Sequence, residues 1–260
     1  MLFDKASIRL KNERQLAGIR ESCRLLAETH ARLRPLIVPG ALPRDIDRVA
    51  QEYIEGNGGR PAFLGYHGFP ASICFSLNEA VIHGIPDSTP LRNGDVVSID
   101  CGIELNGYYS DSAMTVVAGD AAPEITELMR VAEESLELGI QAAVAGNRVK
   151  DISAAIYEHN KAHGYGIVRP YCGHGVGLSL HEDPQVPNYV GRGPNPRLKP
   201  GMVLALEPMI NLGGDDVEVL DDDWTVVTAD DSISVHFEHT IAIHSDHTEV
   251  MTRRSERENP

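Results

Sequence analysis

The stretch SIDCGIELNGYYSD, residues 98–111, predicts a β-hairpin with Asn106-Gly107 at its turn. An Asn-Gly pair between two alternating segments is a strong signal for a two-residue type I′ turn. With this turn, Gly102 lies opposite Asp111, and Asp100 shares their face two positions earlier. Asp100 and Asp111 are then diagonal neighbours about 7–8 Å apart at the backbone, so their side chains can converge on one ion. Glycine at position 102 is expected to leave room beside them.

Two more carboxylates lie in apolar surroundings further along the chain. Glu207 in VLALEPMI and Glu238 in SVHFEHTIAI each stand inside a segment predicted to be a buried strand. A single acid of this kind could be part of an ordinary salt bridge or a solvated surface group. Several buried carboxylates with few basic residues near them in sequence need cations as partners. His174, in YCGHGVGLSLHEDP, has glycine on both sides and completes the set.

The combination of two Asp, two Glu and one His predicts the kind of metal that the site would take. Carboxylate and imidazole ligands suit Mn, Fe(II) or Co(II), and they also admit Zn. Four carboxylates can hold two divalent ions, with some oxygens bridging, at the ~3.5–4 Å separation typical of hydrolytic metal pairs. The sequence therefore predicts a site for two divalent metal ions.

The composition indicates a folded protein with an acidic surface. The 260 residues include 38 Asp and Glu against 23 Lys and Arg, a formal net charge of −15, and 42% are hydrophobic. General nucleic-acid binding and membrane-surface binding are not expected of so acidic a chain. No apolar run approaches the ~20 residues of a membrane span, and the N-terminus has no signal core. Four scattered cysteines without a CxxC pair favour a reducing cytoplasm.

Hydrophobic periodicity and an internal repeat predict the architecture. Residues 24–58, shifted by 106, give eight identities with the second half, where chance gives about two. A shift of 107 aligns Asp100 with Glu207. We therefore expect two similar α+β halves about an approximate two-fold axis, in a single domain 1–260 with flexible ends at 1–10 and 252–260. Helices are predicted at 12–34, 43–56, 122–144 and 148–163, and strands at 202–210 and 234–244 besides the hairpin.

The order and contexts of these residues resemble type I methionine aminopeptidase. The resemblance rests on SIDCGIELNGYYSD, CGHGVG, LALEPMI and FEHT, and on GYHGFPASICFSLNEAVIHGIP at residues 65–86. It covers about residues 10–250. The resemblance implies the pita-bread fold, with an antiparallel sheet in two halves and helices packed outside. It also implies removal of the initiator methionine from nascent proteins when the second residue is small.

The resemblance implies a role for each metal-ligand candidate. Asp100 would bind one metal through both oxygens, and Asp111 and Glu238 would bridge the two metals. His174 and Glu207 would complete the second metal. A hydroxide bridging the metals would attack the peptide carbonyl, because metals lower the pKa of bound water. Glu207 would also relay the proton to the leaving amine.

The resemblance assigns further residues to the substrate. His83 in VIHGIP and His181 in LSLHED would hydrogen-bond the peptide and stabilise the oxyanion. A methionine side chain needs an apolar, polarisable cavity. Phe69 stands where the family frequently has Tyr, and Leu180 where it frequently has Phe. The residues matching the cavity are Phe63, Tyr66, Phe69, Cys74, Leu180 and Trp224, each of which could instead belong to an ordinary core.

Other histidines and cysteines receive no role in the chemistry. His67 in GYHG is left unassigned, and Cys101 and Cys172 are expected only to fill space beside the ligands. The remaining histidines considered are expected at the surface: His30, His159, His163, His244 and His247.

Two other functions remain open beside the aminopeptidase. An Xaa-Pro peptidase of the same fold usually carries a preceding domain, for which 260 residues are expected to leave no room. A non-enzymatic protein of this fold tends to lose metal ligands, whereas this chain has all five. The expected partners are nascent polypeptide N-termini that begin with Met, with transient ribosome contact through the domain surface. A monomer is expected.

Overall fold

The structure, a computed structural model, describes residues 8–253. Within that range it contains four α-helices, each within two residues of its predicted span: α1 Glu13–Leu33, α2 Pro43–Gly56, α3 Pro123–Ala142 and α4 Val149–Ala162. A capping box begins α1, since the side chains of Asn12 and Gln15 each accept a hydrogen bond from the other's backbone N–H. Proline begins α2 and α3, in the first turn, where its missing N–H is not needed.

The described residues also form fifteen short strands, and every pairing between them is antiparallel, as predicted. Four sheets result, with the orders β1-β4-β2, β13-β10-β6, β11-β12-β3 and β15-β14-β9-β7-β8, and β5 also pairs with β4. The strands are β1 Arg60–Pro61, β2 Cys74–Leu77, β3 Ala80–Ile82, β4 Val96–Leu105, β5 Tyr108–Val117, β6 Gly166–Ile167, β7 Gly173–Gly175, β8 Glu182–Val186, β9 Val203–Leu206, β10 Met209–Asn211, β11 Val217–Val219, β12 Val226–Thr228, β13 Ser234–His236, β14 His239–Ile243 and β15 Thr248–Val250.

The hairpin of β4 and β5 has the predicted register. Leu105 pairs with Tyr108 and Gly102 with Asp111. The turn residues Asn106 and Gly107 have φ values of 55° and 83°, the left-handed conformations that a type I′ turn requires. The expected space at Gly102 is already filled, however. A Cβ there would lie 2.7 Å from Phe63 Cε1 and 3.2 Å from Leu180 Cδ1, so this glycine makes room for apolar side chains and not for an ion.

The two halves repeat each other in structure as they do in sequence. A shift of 106 carries the bounds of α2 onto α4 and those of β1 onto β6. A shift of 107 aligns β4 with β9 and β10 together. In the first half β4 pairs with β5, and in the second half β9 pairs with β14 and β10 with β13. The internal repeat is therefore a repeat of local structure.

The second half departs from the prediction in one important respect. The predicted strands at 202–210 and 234–244 are each broken in two, at Glu207-Pro208 and at Phe237-Glu238. Pro208 has no N–H to donate to a sheet, and the chain changes sheets at both breaks, because β9 and β14 belong to one sheet and β10 and β13 to another. Glu207 and Glu238 therefore lie between strands and not inside them.

The helices pack on the outer faces of the sheets and form two main apolar cores. Leu26 and Ile54 of the first helix pair pack with Ile103, and Ile152 and Ile156 of the second pair belong to the core around β9 and β14. Among residues 8–253, no helix is long and apolar enough to cross a membrane.

One expected surface residue is buried. His30 is completely inaccessible, and its Nε2 lies 2.8 Å from the carbonyl oxygen of Ser112. The reason is helical spacing, because position 30 shares a face of α1 with Leu26 and Leu33, which pack on the sheet. The prediction of a surface position for His30, which rested on the polarity of the side chain, is therefore wrong.

The chain ends are partly fixed by contacts. Arg9 Nη2 donates to Ser179 Oγ at 2.8 Å, and the buried hydroxyl of Thr252 lies 2.9 Å from His239 Nδ1. Both residues fall within the segments predicted to be flexible, 1–10 and 252–260, and the flexibility itself stays a prediction. The rest of that prediction, for residues 1–7 and 254–260, lies outside the described residues.

Candidate active site

The five predicted metal ligands come from separate elements and meet in one place. Asp100 and Asp111 lie on the paired strands β4 and β5, and His174 lies on β7. Glu207 and Glu238 occupy the two strand breaks described above. Donor atoms of Asp100, Asp111 and Glu238 all lie within 4.8 Å of one another, and so do those of His174, Glu207 and Glu238. The two groups share Glu238, which is the arrangement needed for two neighbouring ions.

The orientation of His174 favours a cation between its ring and the carboxylates. Its Nδ1–H donates to the carbonyl oxygen of Gly175 at 2.9 Å, which leaves a lone pair on Nε2. Nε2 lies 3.5 Å from Glu207 Oε1 and 3.8 Å from Asp111 Oδ2. Burial, and then the nearby His181, lowers the pKa of His174 to about 3, so the ring is neutral and offers these oxygens no proton. A backbone partner on the other ring nitrogen is typical of metal-binding histidines.

The carboxylates also lack the partners that buried charges require. Burial raises the pKa of Asp100 to about 7, and burial followed by repulsion from Asp100 raises that of Glu207 to about 8. Burial and mutual repulsion place the pKa values of Asp111 and Glu238 well above their ordinary range. Among residues 8–253, the buried atoms Asp100 Oδ1, Asp111 Oδ1 and Glu238 Oε1 have no hydrogen-bond partner. This oxygen-rich set with one imidazole fits divalent ions.

A cavity of about 710 Å³ adjoins the five candidate ligands. Almost all of the residues predicted to bind substrate line this cavity, namely Phe63, Tyr66, Phe69, Cys74, His83, His181 and Trp224. The rings of Phe69 and Trp224 meet edge to face, 5.1 Å apart between centroids. Burial raises the pKa of the Cys74 thiol well above its ordinary value, so this residue is a neutral, polarisable part of the wall.

Leu180 is the one predicted substrate residue that does not line this cavity. It packs in an apolar cluster with Phe63 and Cys74, and it lines a neighbouring cavity of about 410 Å³. The Phe63 ring lies beside Gly102, as Leu180 does, but only Phe63 of the two also lines the larger cavity. Leu180 therefore lies beside the larger cavity's wall and not on its surface, and its contact with substrate stays a prediction.

The two predicted substrate histidines are held differently. His181 Nδ1 lies 2.8 Å from the Tyr66 hydroxyl, and its ring meets that of His174 edge to face at 4.4 Å. His83 follows β3 with a left-handed φ of 59°, and its ring is edge to face with those of Tyr171 and Trp224. Burial lowers the pKa of both rings, that of His83 to about 4. Both are therefore neutral hydrogen-bonding groups at pH 7.

Several cavity residues were not found from the sequence. His236 is 2% exposed, lines the cavity, and its Nε2 has no hydrogen-bond partner within the described range. Burial, and then His83, lowers its pKa to about 3. The sequence feature that could have identified His236 is its position two residues before the candidate ligand Glu238. Tyr171, Gln185 and Cys172 also line the cavity, so the expected space-filling place of Cys172 is in the cavity wall. His67 instead lines the neighbouring cavity, with its ring 4.4 Å from that of Tyr66.

Comparison with known proteins agrees with this geometry. The sequence profile of metallopeptidase family M24 matches residues 17–245. A methionine aminopeptidase of Treponema pallidum is 50% identical over 250 residues, which cover 96% of this chain and 98% of the relative. The crystal structure of methionine aminopeptidase from Rickettsia prowazekii matches with a TM-score of 0.93 at 37% identity, covering 95% of this chain and all of that one. The pita-bread fold predicted above is thereby confirmed.

The alternative expected from the same fold appears among the more distant structures. The prolidase from Pyrococcus horikoshii matches with a TM-score of 0.78 at 23% identity. The match covers 96% of this chain but only 65% of the prolidase. This likeness extends to the fold alone.

Proposed function

This chain belongs to metallopeptidase family M24 and is one of its methionine aminopeptidases, and we propose that it removes the initiator methionine from polypeptides whose second residue is small. The observation that supports this function best is the pair of overlapping ligand groups beside an apolar cavity. The ligand groups supply a place for hydrolytic chemistry, and the cavity wall of Phe63, Phe69 and Trp224 suits a methionine side chain.

The ligand assignments come from the family resemblance, and the two groups of donor atoms support them. Asp100, Asp111, His174, Glu207 and Glu238 would together hold the two ions, with Glu238 belonging to both groups of donor atoms. When bound, two divalent ions would polarise the scissile carbonyl and activate water for attack. Mn, Fe(II), Co(II) and Zn all suit these ligands.

The residues around the ions would bind the peptide and move protons. If the Tyr66 hydroxyl donates to His181 Nδ1, the Nε2–H of His181 is free to donate to the carbonyl oxygen as negative charge develops there. His83, neutral and next to Trp224, would hydrogen-bond the peptide backbone. Glu207 would carry a proton to the leaving amine.

The cavity wall would select methionine by shape and polarisability. Phe63, Phe69 and Trp224 present ring faces or edges, and Cys74 adds a small thiol. Leu180 would act only through Phe63. The replacement of the family's frequent Phe by Leu at this position should therefore affect the rate of methionine removal less than changes at Phe63.

The remaining expectations concern the setting of the reaction. We propose nascent polypeptide N-termini beginning with Met as substrates, with transient contact to the ribosome through the domain surface. We also propose a cytoplasmic location and a monomer. Gel filtration of the purified protein would test the monomer, and a dimer at micromolar concentration would contradict it.

A substrate panel with defined metals tests the proposed function. EDTA should abolish cleavage of Met-Ala-Ser, and Mn, Fe(II) or Co(II) should restore it. Met-Ala peptides should be cleaved far faster than Met-Leu or Ala-Pro peptides, because a small second residue is required. Full activity after verified metal removal would refute the metal-dependent mechanism. Preference for proline in second position without a need for Met would instead favour an Xaa-Pro peptidase.

A further inference from the structure

A buried ion pair lies directly beside the proposed substrate histidine, His181. Lys11 Nζ and Glu182 Oε2 are 2.8 Å apart, and both side chains are only 1% exposed. Arg9 Nε lies 3.2 Å from the same oxygen. The two basic residues come from the segment before α1, about 170 positions away in sequence. None of the sequence patterns above predicts this pair.

The second oxygen of Glu182 holds the turn that carries His181. Glu182 Oε1 accepts the backbone N–H of Leu178 at 2.6 Å and that of Ser179 at 3.0 Å. One carboxylate thus joins the N-terminal segment to the turn through one oxygen and closes the turn through the other. Hydrogen bonds to an ionised, buried acceptor are among the strongest in proteins.

The N-terminal segment is itself fixed to the body of the protein. Lys11 N–H donates to the Gly201 carbonyl oxygen at 2.7 Å. Gly177, at the start of the turn, has a φ of +128° and packs so closely that a Cβ would lie 2.4 Å from Ile19 Cδ1 and 3.3 Å from Lys11 Cε. The turn is therefore held between α1, the N-terminal segment and Glu182.

We propose that Glu182, neutralised by Lys11 and Arg9, is a positioning residue that holds His181 at the metal centre. This inference rests on the proposed function, because His181 needs a substrate to act on. A ring that moves by about 1 Å can lose most of its effect on a developing oxyanion, since such hydrogen bonds depend steeply on geometry. Lys11, which does not line the cavity, thereby acts on the reaction through Glu182 and the turn that carries His181.

Steady-state kinetics of Lys11→Met with Met-Ala-Ser tests the proposal. We expect kcat to fall at least tenfold, with KM and bound metal nearly unchanged, because the methionine cavity and the ligands are intact. Lys11→Arg should recover most of the loss. The matched control is Lys161→Met, which breaks the 2.6 Å pair with Asp215 away from the cavity and should change kcat less than twofold.

A double-mutant cycle separates positioning from a general structural role. In a His181→Ala background, Lys11→Met should lower kcat by less than a further twofold, since its effect passes through that ring. A full tenfold loss in both backgrounds would overturn the proposal. An unchanged kcat in Lys11→Met alone would do the same.

Lys11→Met leaves Glu182 buried with Arg9 as the remaining one of its two cations, and a protein changed in this way can unfold. A second variant keeps the test valid in that case. Lys11→Met combined with Glu182→Leu removes both charges at similar volume but also removes the acceptor for the two N–H groups. We expect this folded variant to remain at least tenfold slower, and wild-type kcat would overturn the proposal.

Hydrogen exchange provides a readout that does not depend on activity. The amides of Leu178 and Ser179 should exchange at least tenfold faster in Lys11→Met/Glu182→Leu than in the wild type. Unchanged protection would overturn the proposal. If the wild-type protein failed to cleave Met-Ala-Ser at all, the proposed function would fail. The exchange result would still show whether Glu182 and Lys11 hold the turn at Leu178 and Ser179.

Discussion

Replacing Gly102 with alanine should narrow the methionine cavity from behind. The new Cβ would lie 2.7 Å from Phe63 Cε1 and 3.2 Å from Leu180 Cδ1. Carbon atoms in contact are ordinarily about 3.5–4.0 Å apart, so the Phe63 ring must move by about 1 Å. Phe63 lines the cavity and packs in one apolar cluster with Leu180, so we expect the displaced ring to move into the cavity.

The expected size of the effect follows from this crowding. One added methyl group in a packed cluster typically lowers the free energy of unfolding by about 1–3 kcal/mol. We expect a loss of about 2 kcal/mol here, because the Phe63 ring and the end of the Leu180 side chain can shift. A narrower cavity should raise KM for Met-Ala-Ser about tenfold, which corresponds to ~1.4 kcal/mol of binding. The value of kcat should change little, because the ligands and His181 do not move.

Urea denaturation and steady-state kinetics would measure the two effects. Gly139→Ala is the matched control, since its Cβ would lie 2.9 Å from two atoms of Ile156 in the outer helix layer. That variant should leave KM unchanged. Adding Leu180→Ala to Gly102→Ala should restore KM towards the wild-type value, because the Phe63 ring can then move back. An unchanged KM in Gly102→Ala, or no recovery with Leu180→Ala, would refute the role assigned to Phe63.

Three further predictions concern the metals, a substrate histidine and surface charge. Saturating Mn should raise the unfolding free energy of the EDTA-treated protein, by ~2.7 kcal/mol at one hundred times Kd, and no change in melting temperature would count against the site. His83→Ala should retain bound metal but lower kcat by about 10²–10³, as loss of an oxyanion-stabilising or substrate-orienting group does, and unchanged turnover would remove His83 from the mechanism. The hydrogen bond from Arg20 lowers the pKa of Glu249 from 4.5 to about 2, so this pair stabilises the fold above pH 4.5 and loses its contribution as the pH falls towards 2. Arg20→Gln should therefore lower the free energy of unfolding by less than ~1 kcal/mol at pH 7, since both side chains are partly exposed. In urea denaturation, this difference from the wild type should shrink below pH 4.5.

Local signals account for the parts of the fold that the sequence predicted well. Asn106-Gly107 favours left-handed φ values at two successive residues, and only a two-residue hairpin turn uses both. That one turn placed Gly102 opposite Asp111 and brought Asp100 to the same face. The helices follow from apolar spacing along single segments, which needs no knowledge of distant partners. The internal repeat similarly aligns Asp100 with Glu207 from residue identities alone.

The strand breaks show where local reasoning ends. The apolar residues on both sides of Glu207 and Glu238 read as continuous strands, yet the chain changes sheets at each acid. Sheet membership is decided by partners far away in sequence, so periodicity alone cannot reveal the change. The same limit applies to His30, whose helix face is covered by β5.

Residue types and short-range spacing were enough to predict the hairpin and the helices, and motifs spread along the chain gave the family and the five candidate metal ligands. Tertiary structure alone decided that Phe63 and not Leu180 faces the cavity, that His236 lines it, and that Lys11 reaches Glu182. These contacts join segments up to about 170 residues apart, and packing of whole side chains selects them. Which atom fills the space beside Gly102 depends on three-dimensional volume, a quantity that no pattern along the chain records.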